Sequence, residues 1–170
     1  MLRPRMKNRL AVLLAASLVL VQAQVSRAAD ASGLLTVDDL KAYYGAAFTV
    51  TPDPKPMDPV KGGGGKLSQF MYMSADSGKV ASLLVRESDS PAAAKQAAEA
   101  VRKEYGKLGI KIEDAPGIGD YAFFFGRQLV FAKGSDSFVL AAPGLKKERD
   151  AAEAHEAASQ LAKKIVERVK

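Results

Sequence analysis

The chain has no cysteine, no tryptophan and a single histidine, and no acidic residue precedes Asp30. The missing cysteines exclude disulfides, thiolate metal ligands, a cysteine nucleophile and the acylated cysteine of a bacterial lipoprotein. One histidine, His155, cannot supply a histidine-rich zinc site, and neither spacing nor motif builds a Ser-His-Asp triad around it. It falls beside the apolar stripe of the last helix, so we expect a half-buried flank position. Long apolar runs are also scarce. The longest, Leu10 to Val21, has 12 residues, which as a helix covers about 18 Å of a hydrocarbon core roughly 30 Å thick. No transmembrane anchor is expected.

The formal charge of +6 looks like an electrostatic footprint for nucleic acid until it is divided by position. Arg3, Arg5, Lys7, Arg9 and Arg27 lie in the acid-free leader, and the rest of the chain carries 20 bases against 19 acids. A near-neutral remainder without a basic cluster does not follow a phosphate backbone, so neither DNA nor RNA is an expected partner. The leader has a basic start, an apolar stretch and a small-residue end, the pattern of a secretory signal peptide. We read residues 1–28 as that peptide, with cleavage after Ala28, and residues 29–170 as one exported domain, periplasmic or secreted. About 142 residues remain, long enough to fold on an apolar core without covalent staples.

Within this domain Thr36-Val-Asp-Asp39 has the spacing of a capping box, and a short helix is predicted over 37–44 with Gly45 ending it. Residues 46–51 are a plausible strand. Four prolines and four glycines between Pro52 and Lys66 then predict an exposed, mobile loop over 52–66. Residues 67–73 and 79–86 read as a hairpin with Ala81, Leu83 and Val85 facing the core. Ser90-Pro91 caps a helix whose stripe is Ala94, Ala98, Val101, Tyr105 and Leu108. A short strand at 110–113 and the turn Ala115 to Asp120 lead to three strands, 121–125, 128–132 and 137–141, with Gly126-Arg127 as a two-residue hairpin turn. A long amphipathic helix from about 147 to 169 closes the chain, with the stripe Ala151, Ala154, Ala158, Leu161, Ala162, Ile165 and Val169. Strands grouped between helices predict an α+β fold, with an antiparallel sheet of two hairpin or meander groups packed against two or three helices.

Several of these stretches together resemble a known group. They are the glycine-terminated first helix, Ser68-Gln-Phe-Met-Tyr72, the turn Pro116-Gly-Ile-Gly-Asp-Tyr-Ala122, Leu129-Val-Phe-Ala-Lys-Gly134 and the alanine-rich last helix. The chain is similar in these to small exported bacterial proteins without an assigned reaction, including domains of some actinobacterial lipoproteins. Many of those carry a cysteine at the position of Phe70 and a lipidated cysteine near the N-terminus, which this chain does not. The resemblance implies an envelope compartment and an α+β fold, and no chemistry.

Candidate sites are few. Lys61-Gly-Gly-Gly-Gly-Lys66 lacks the first glycine and final Ser or Thr of a phosphate-binding loop, and reads as a linker. Gly117-Ile-Gly-Asp120 has the composition of an anion nest, but also of a tight turn into a strand held by Asp120. The carboxylate pairs Asp38/Asp39 and Glu113/Asp114 are neighbours in sequence, so their side chains diverge. Met71 and Met73 share one face of a strand and offer two thioethers to Cu(I), with Met57 as a third, although methionines there more commonly fill a core. Tyr121, Phe123, Phe124 and Phe125, with Phe131 and Phe138 on neighbouring strands, offer a lining for an apolar ligand pocket, although filling the core is the commoner role. Phe124 and the pair Phe123/Phe125 take opposite faces, so one face presents aromatics to a second helix layer or to a partner. The function expected is that of a non-enzymatic envelope binding or interaction module with a protein partner and no cofactor. The alternative is a carrier or sensor for a small apolar ligand or Cu(I).

Overall fold

The computed structural model describes residues 33–59 and 64–169. The leader over 1–28 and its cleavage after Ala28 lie outside the described residues, as do residues 60–63 of the 52–66 loop. From Leu34 onward the chain is one compact unit. Its elements run α1 (Val37–Tyr44), β1 (Thr49–Asp53), β2 (Lys66–Met73), β3 (Val80–Glu87), α2 (Pro91–Lys107), β4 (Ile112–Asp114), β5 (Tyr121–Phe125), β6 (Gln128–Lys133), β7 (Asp136–Ala141) and α3 (Ala151–Arg168). All seven strands form one sheet in the order β1-β2-β3-β7-β6-β5-β4, and every pairing is antiparallel. The α+β class and the two meanders are therefore as expected. They meet where β3 pairs with β7, Leu84 opposite Val139.

Side-chain alternation assigns each residue to a face. Phe123, Val130 and Val139 lie in one register row, and they face α2, whose Ala94, Ala98 and Val101 are buried against them. Alanines in the stripe let the helix backbone approach the sheet. Phe124, Leu129 and Leu140 form a row on the opposite face, where the His155 ring of α3 stacks on Phe124 at 3.9 Å between centroids. Phe131 and Phe138 stack on that same face at 4.6 Å. The phenylalanine run is thus sandwiched between two helix layers.

Local signals place most helix ends. Thr36 and Asp39 make the reciprocal capping box, and Gly45 ends α1 at φ 69°. Ser90 caps α2 with Pro91 in its first turn. The last helix begins at Ala151 and not near 147, because Asp150 is its cap and accepts from Glu153 N–H. Leu108 is corrected from stripe to surface at 67% exposure, since α2 ends at Lys107 and Leu108 is already its C-cap. Ala151 and Val169 likewise leave the buried stripe of α3, which gains Ala157.

The expected 52–66 loop is also narrower. Pro52 and Asp53 belong to β1, opposite Phe70 and Gln69, and Lys66 opens β2. Proline is tolerated at Pro52 because β1 is an edge strand, where alternate N–H groups face away from the sheet. The connection is tied down from the sheet. Buried Arg86 donates through Nη1 to the Gly64 carbonyl at 2.6 Å and pairs through Nη2 with Asp58.

One polar cluster locks α1 to the end of α3. Arg168 reaches the Asp39 carboxylate through Nη1 at 2.5 Å and Nη2 at 2.9 Å, and Nη1 also donates to the Leu34 carbonyl. Asp39 also accepts from the Thr36 N–H and hydroxyl. The Arg168 bonds, helped by those from Thr36, hold its carboxyl well below the usual carboxylate range against the opposing effect of burial. Above the shared core, Tyr72 donates its buried hydroxyl to the Leu35 carbonyl at 2.8 Å.

Two outcomes follow from these contacts. Gly117 and Gly119 both have positive φ, but a Cβ on Gly119 would lie 2.3 Å from the Ala132 carbonyl oxygen, whereas one on Gly117 meets nothing. In urea unfolding we expect Gly117→Ala to cost about 1 kcal/mol and Gly119→Ala on the order of 3 kcal/mol. Equal costs would contradict the backbone clash. Asp39→Asn should cost about 2 kcal/mol at neutral pH, less than a fully buried pair because Arg168 is partly exposed. Since the folded carboxyl titrates below the unfolded value of about 3.9, the difference between wild type and Asp39→Asn should be constant above about pH 5. It should shrink as pH falls through 4, measured by urea unfolding across pH.

Candidate functional site

A cleft of about 620 Å³ opens at one end of the sheet, on the face that α2 covers. Its floor is the register row Phe125, Gln128 and Ala141, with Val80 at the start of β3 alongside. One wall is the C-terminal end of α2 and the chain leaving it, Tyr105 and Ile110. The facing wall is the segment that leaves β7, with Ala142, Pro143 and Glu148, and the Gly126-Arg127 turn closes the corner. Tyr105 stacks on Phe125 at 4.2 Å with the ring planes 25° apart. Each ring thus covers one face of the other, and the pair joins Val80, Ile110, Ala142 and Pro143 in the cleft lining, with Glu148 beside them.

The wall after β7 is held from several directions. Tyr44 donates its hydroxyl to the Pro143 carbonyl at 2.8 Å, and burial pushes that phenol above its ordinary pKa, so it remains a donor. Lys79 donates to the carbonyls of Gly144 at 3.1 Å and Leu145 at 3.0 Å. Glu153 accepts from the N–H groups of Lys146 and Lys147, at 2.6 and 2.8 Å, which draw its carboxyl below the ordinary range. Gly144 is required here, because a Cβ would sit 2.2 Å from the Lys147 carbonyl oxygen. A wall fixed this way loses little freedom when something binds against it.

The hairpin turn is pinned on both sides. From the opposite face His155 donates from Nε2 to the Gly126 carbonyl at 2.7 Å, a carbonyl being able only to accept. On the cleft side Arg127 donates from Nη1 to the Glu148 carbonyl at 3.2 Å. His155 is half-buried, as its place beside the stripe of α3 suggests. It is a support for the turn that carries Arg127.

Beyond Val80 the cleft floor continues as open sheet. Val80 pairs with Met73, and Ala141 pairs with Ser82, which pairs with Met71. Packing by α2 is against β5, β6 and β7. The strip over β2 and β3 keeps Val80 43% and Met73 54% exposed. Met71 and Met73 do share this face, as alternation requires. Their cross-strand neighbours are Thr51, Ser82, Thr49 and Val80, none of them a soft ligand, and the Gln69 amide reaches the Met71 sulfur at 3.9 Å. Met57 lies beyond β1 at 82% exposure, beside the Asp58 that Arg86 holds.

The other sequence candidates take structural places. Asp120 accepts from the Gly134 N–H at 2.9 Å and pairs with Lys133, so it joins the turn to the next hairpin. In the glycine-rich segment, Gly64 accepts from Arg86 and Gly65 abuts Glu87. Asp39 pairs with Arg168, Glu113 with Lys111 and Asp114 with Arg102, so the adjacent carboxylates do diverge. Among the described residues no group of three or more His, Asp or Glu is placed to hold a metal ion, and no helix is long and apolar enough to cross a membrane.

Sequence reading named Phe125 among residues for an apolar pocket but did not place the cleft. Tyr105 and Phe125 were legible as core and Arg127 as a turn residue, but nothing local joins four segments lying between residues 80 and 148. Compared with known protein families, curated proteins and solved structures, the chain matches none significantly. The site therefore has to be read from its own chemistry. A cavity of this size is in the range used by small molecules. Its polar side chains, Arg127, Gln128, Tyr105 and Glu148, are suited to orienting a ligand.

For the methionines we expect two thioethers without a third soft donor to hold Cu(I) weakly. In a competition titration with bathocuproine disulfonate, the protein lacking residues 1–28 should leave the chelator's copper complex intact. Withdrawal of one equivalent of copper, abolished by Met71→Leu, would overturn this.

Proposed function

We propose that this chain is a non-enzymatic binding module that acts outside the cytoplasm, in the periplasm or beyond it, and that its ligand is a small molecule with an apolar body held in the cleft. The cleft carries the reading. It combines a volume suited to a small molecule, an aromatic surface from Tyr105 and Phe125, and a facing wall held by Tyr44, Lys79 and Glu153. Export is supported by the basic, apolar and small-residue segments of residues 1–28, and by the resemblance to small exported bacterial proteins. A chain without cysteine suits such a compartment only if its core suffices, and the paired aromatics and helix layers on both faces of β5 to β7 provide one.

A protein partner is the second reading, favoured by the apolar strip of Val80 and Met73 that continues the cleft floor. Such a partner would dock on β2 and β3 and cover the mouth of the cleft. Neither reading assigns a reaction to the chain.

Native mass spectrometry of the protein, purified gently from the cells that make it, tests the first reading. The expected spectrum is a chain beginning at Ala29 with a noncovalent adduct that leaves on collisional activation. A bare chain in every preparation, with no adduct regained from a small-molecule extract of the same cells, would count against a carrier. A chain retaining its first 28 residues would remove the export half of the proposal.

A further inference from the structure

Of the five described arginines three are paired with carboxylates, Arg149 and Arg127 are not, and Arg127 is the unpaired one that lines the cleft. Arg86 pairs with Asp58, Arg102 with Asp114 and Arg168 with Asp39. Arg127 has as its partner a neutral backbone carbonyl, that of Glu148, reached by Nη1. Among the described residues no carboxylate lies within ion-pair distance of it. The carbonyl and the His155-anchored turn hold the guanidinium at the cleft corner while leaving its remaining donors uncommitted. Guanidinium is always charged and offers a planar fork of N–H groups that matches a carboxylate.

The rest of the cleft restricts what could carry that carboxylate. Tyr105 lies nearly parallel over Phe125, Ile110, Ala142, Pro143 and Val80 add apolar groups, and Gln128 and Glu148 share the lining with them. We propose that the cleft binds a small organic anion with a flat, ring-bearing apolar body, a monocarboxylate of the arylacetic type, its ring lying against Tyr105 and its carboxylate on the Arg127 guanidinium. Gln128, on the floor row between Phe125 and Ala141, is placed to offer its amide to a second ligand oxygen. This inference rests on the cleft being a binding site and adds the class of molecule it selects.

A matched set of probes separates the two claims. 4-Biphenylacetate, 2-(biphenyl-4-yl)ethanol and 2-(biphenyl-4-yl)ethylamine share one apolar body and differ in charge. Calorimetric titration at low ionic strength, where an exposed cation is least screened, should give one site per chain. The carboxylate should bind about tenfold more tightly than the alcohol or the amine, the worth of one charge-assisted hydrogen bond. Arg127→Gln should abolish that preference by weakening the acid far more than the alcohol, and Arg127→Lys should restore part of it. Tyr105→Ala should weaken all three alike. Arg127 is exposed and makes one bond to the Glu148 carbonyl, and an unchanged amide spectrum checks that its variants fold as the wild type does. Equal binding of acid and alcohol, or a preference that survives Arg127→Gln, overturns the proposal. So does failure of all three probes while native mass spectrometry returns an adduct, an outcome in which the binding reading stands and the ligand class does not.

Discussion

Three consecutive phenylalanines on one strand set the architecture. Side chains alternate along β5, so Phe123 and Phe125 face one way and Phe124 the other. Burying all three requires cover on both faces of the same stretch of sheet, and α2 and α3 supply it. Each aromatic buries a large area that would be costly to leave in water. Both long helices are therefore committed to β5 to β7. The faces of β1 to β3 divide the remainder unequally. One is covered through Leu35, Leu40 and Tyr72, and the other keeps the strip that includes Met71, Met73 and Val80.

The cleft follows from that commitment. α2 ends at Lys107, with Gly109 turning the chain at φ 72° toward β4, and its last turn leaves Tyr105 over Phe125 with no helix beyond it. The β5–β6 turn and the segment after β7 rise on the far side. A floor of sheet, a helix end and a braced loop together leave a space that no side chain among the described residues fills. His155 acts from behind this space, since the same ring that covers Phe124 also donates to the Gly126 carbonyl. Core packing on one face thus fixes the position of Arg127 on the other.

Legibility in the sequence followed the range of the interactions. Thr36 with Asp39, Ser90 with Pro91, and Gly126 with Arg127 are contacts within a few residues, and the helix ends and hairpin they imply were readable. Strand membership for 121–125 was readable because three aromatics in succession fit a strand buried on both faces. Pro52 misled, since proline argues against a strand until the strand is known to be an edge. Leu108 misled as well, because apolar periodicity continues one residue past the point where the backbone stops being helical. Sequence order left open which face each helix takes, because that depends on the β3–β7 pairing across some fifty residues of chain. The Arg168–Asp39 and Lys79–Gly144 contacts were invisible for the same reason.

The small-ligand and protein-partner readings share one surface. Val80 lines the cleft and also pairs with Met73, so the apolar strip begins where the cleft floor ends. A macromolecule seated on β2 and β3 would close the open side, raising the cost of ligand escape and dehydrating the Arg127 guanidinium. An ion pair gains strength as water leaves, provided the partner charge is present to offset desolvation. A bound anion would therefore favour docking, and an empty cleft, with its uncompensated arginine, would oppose it. The two proposed occupants would then be thermodynamically linked through the Arg127 charge.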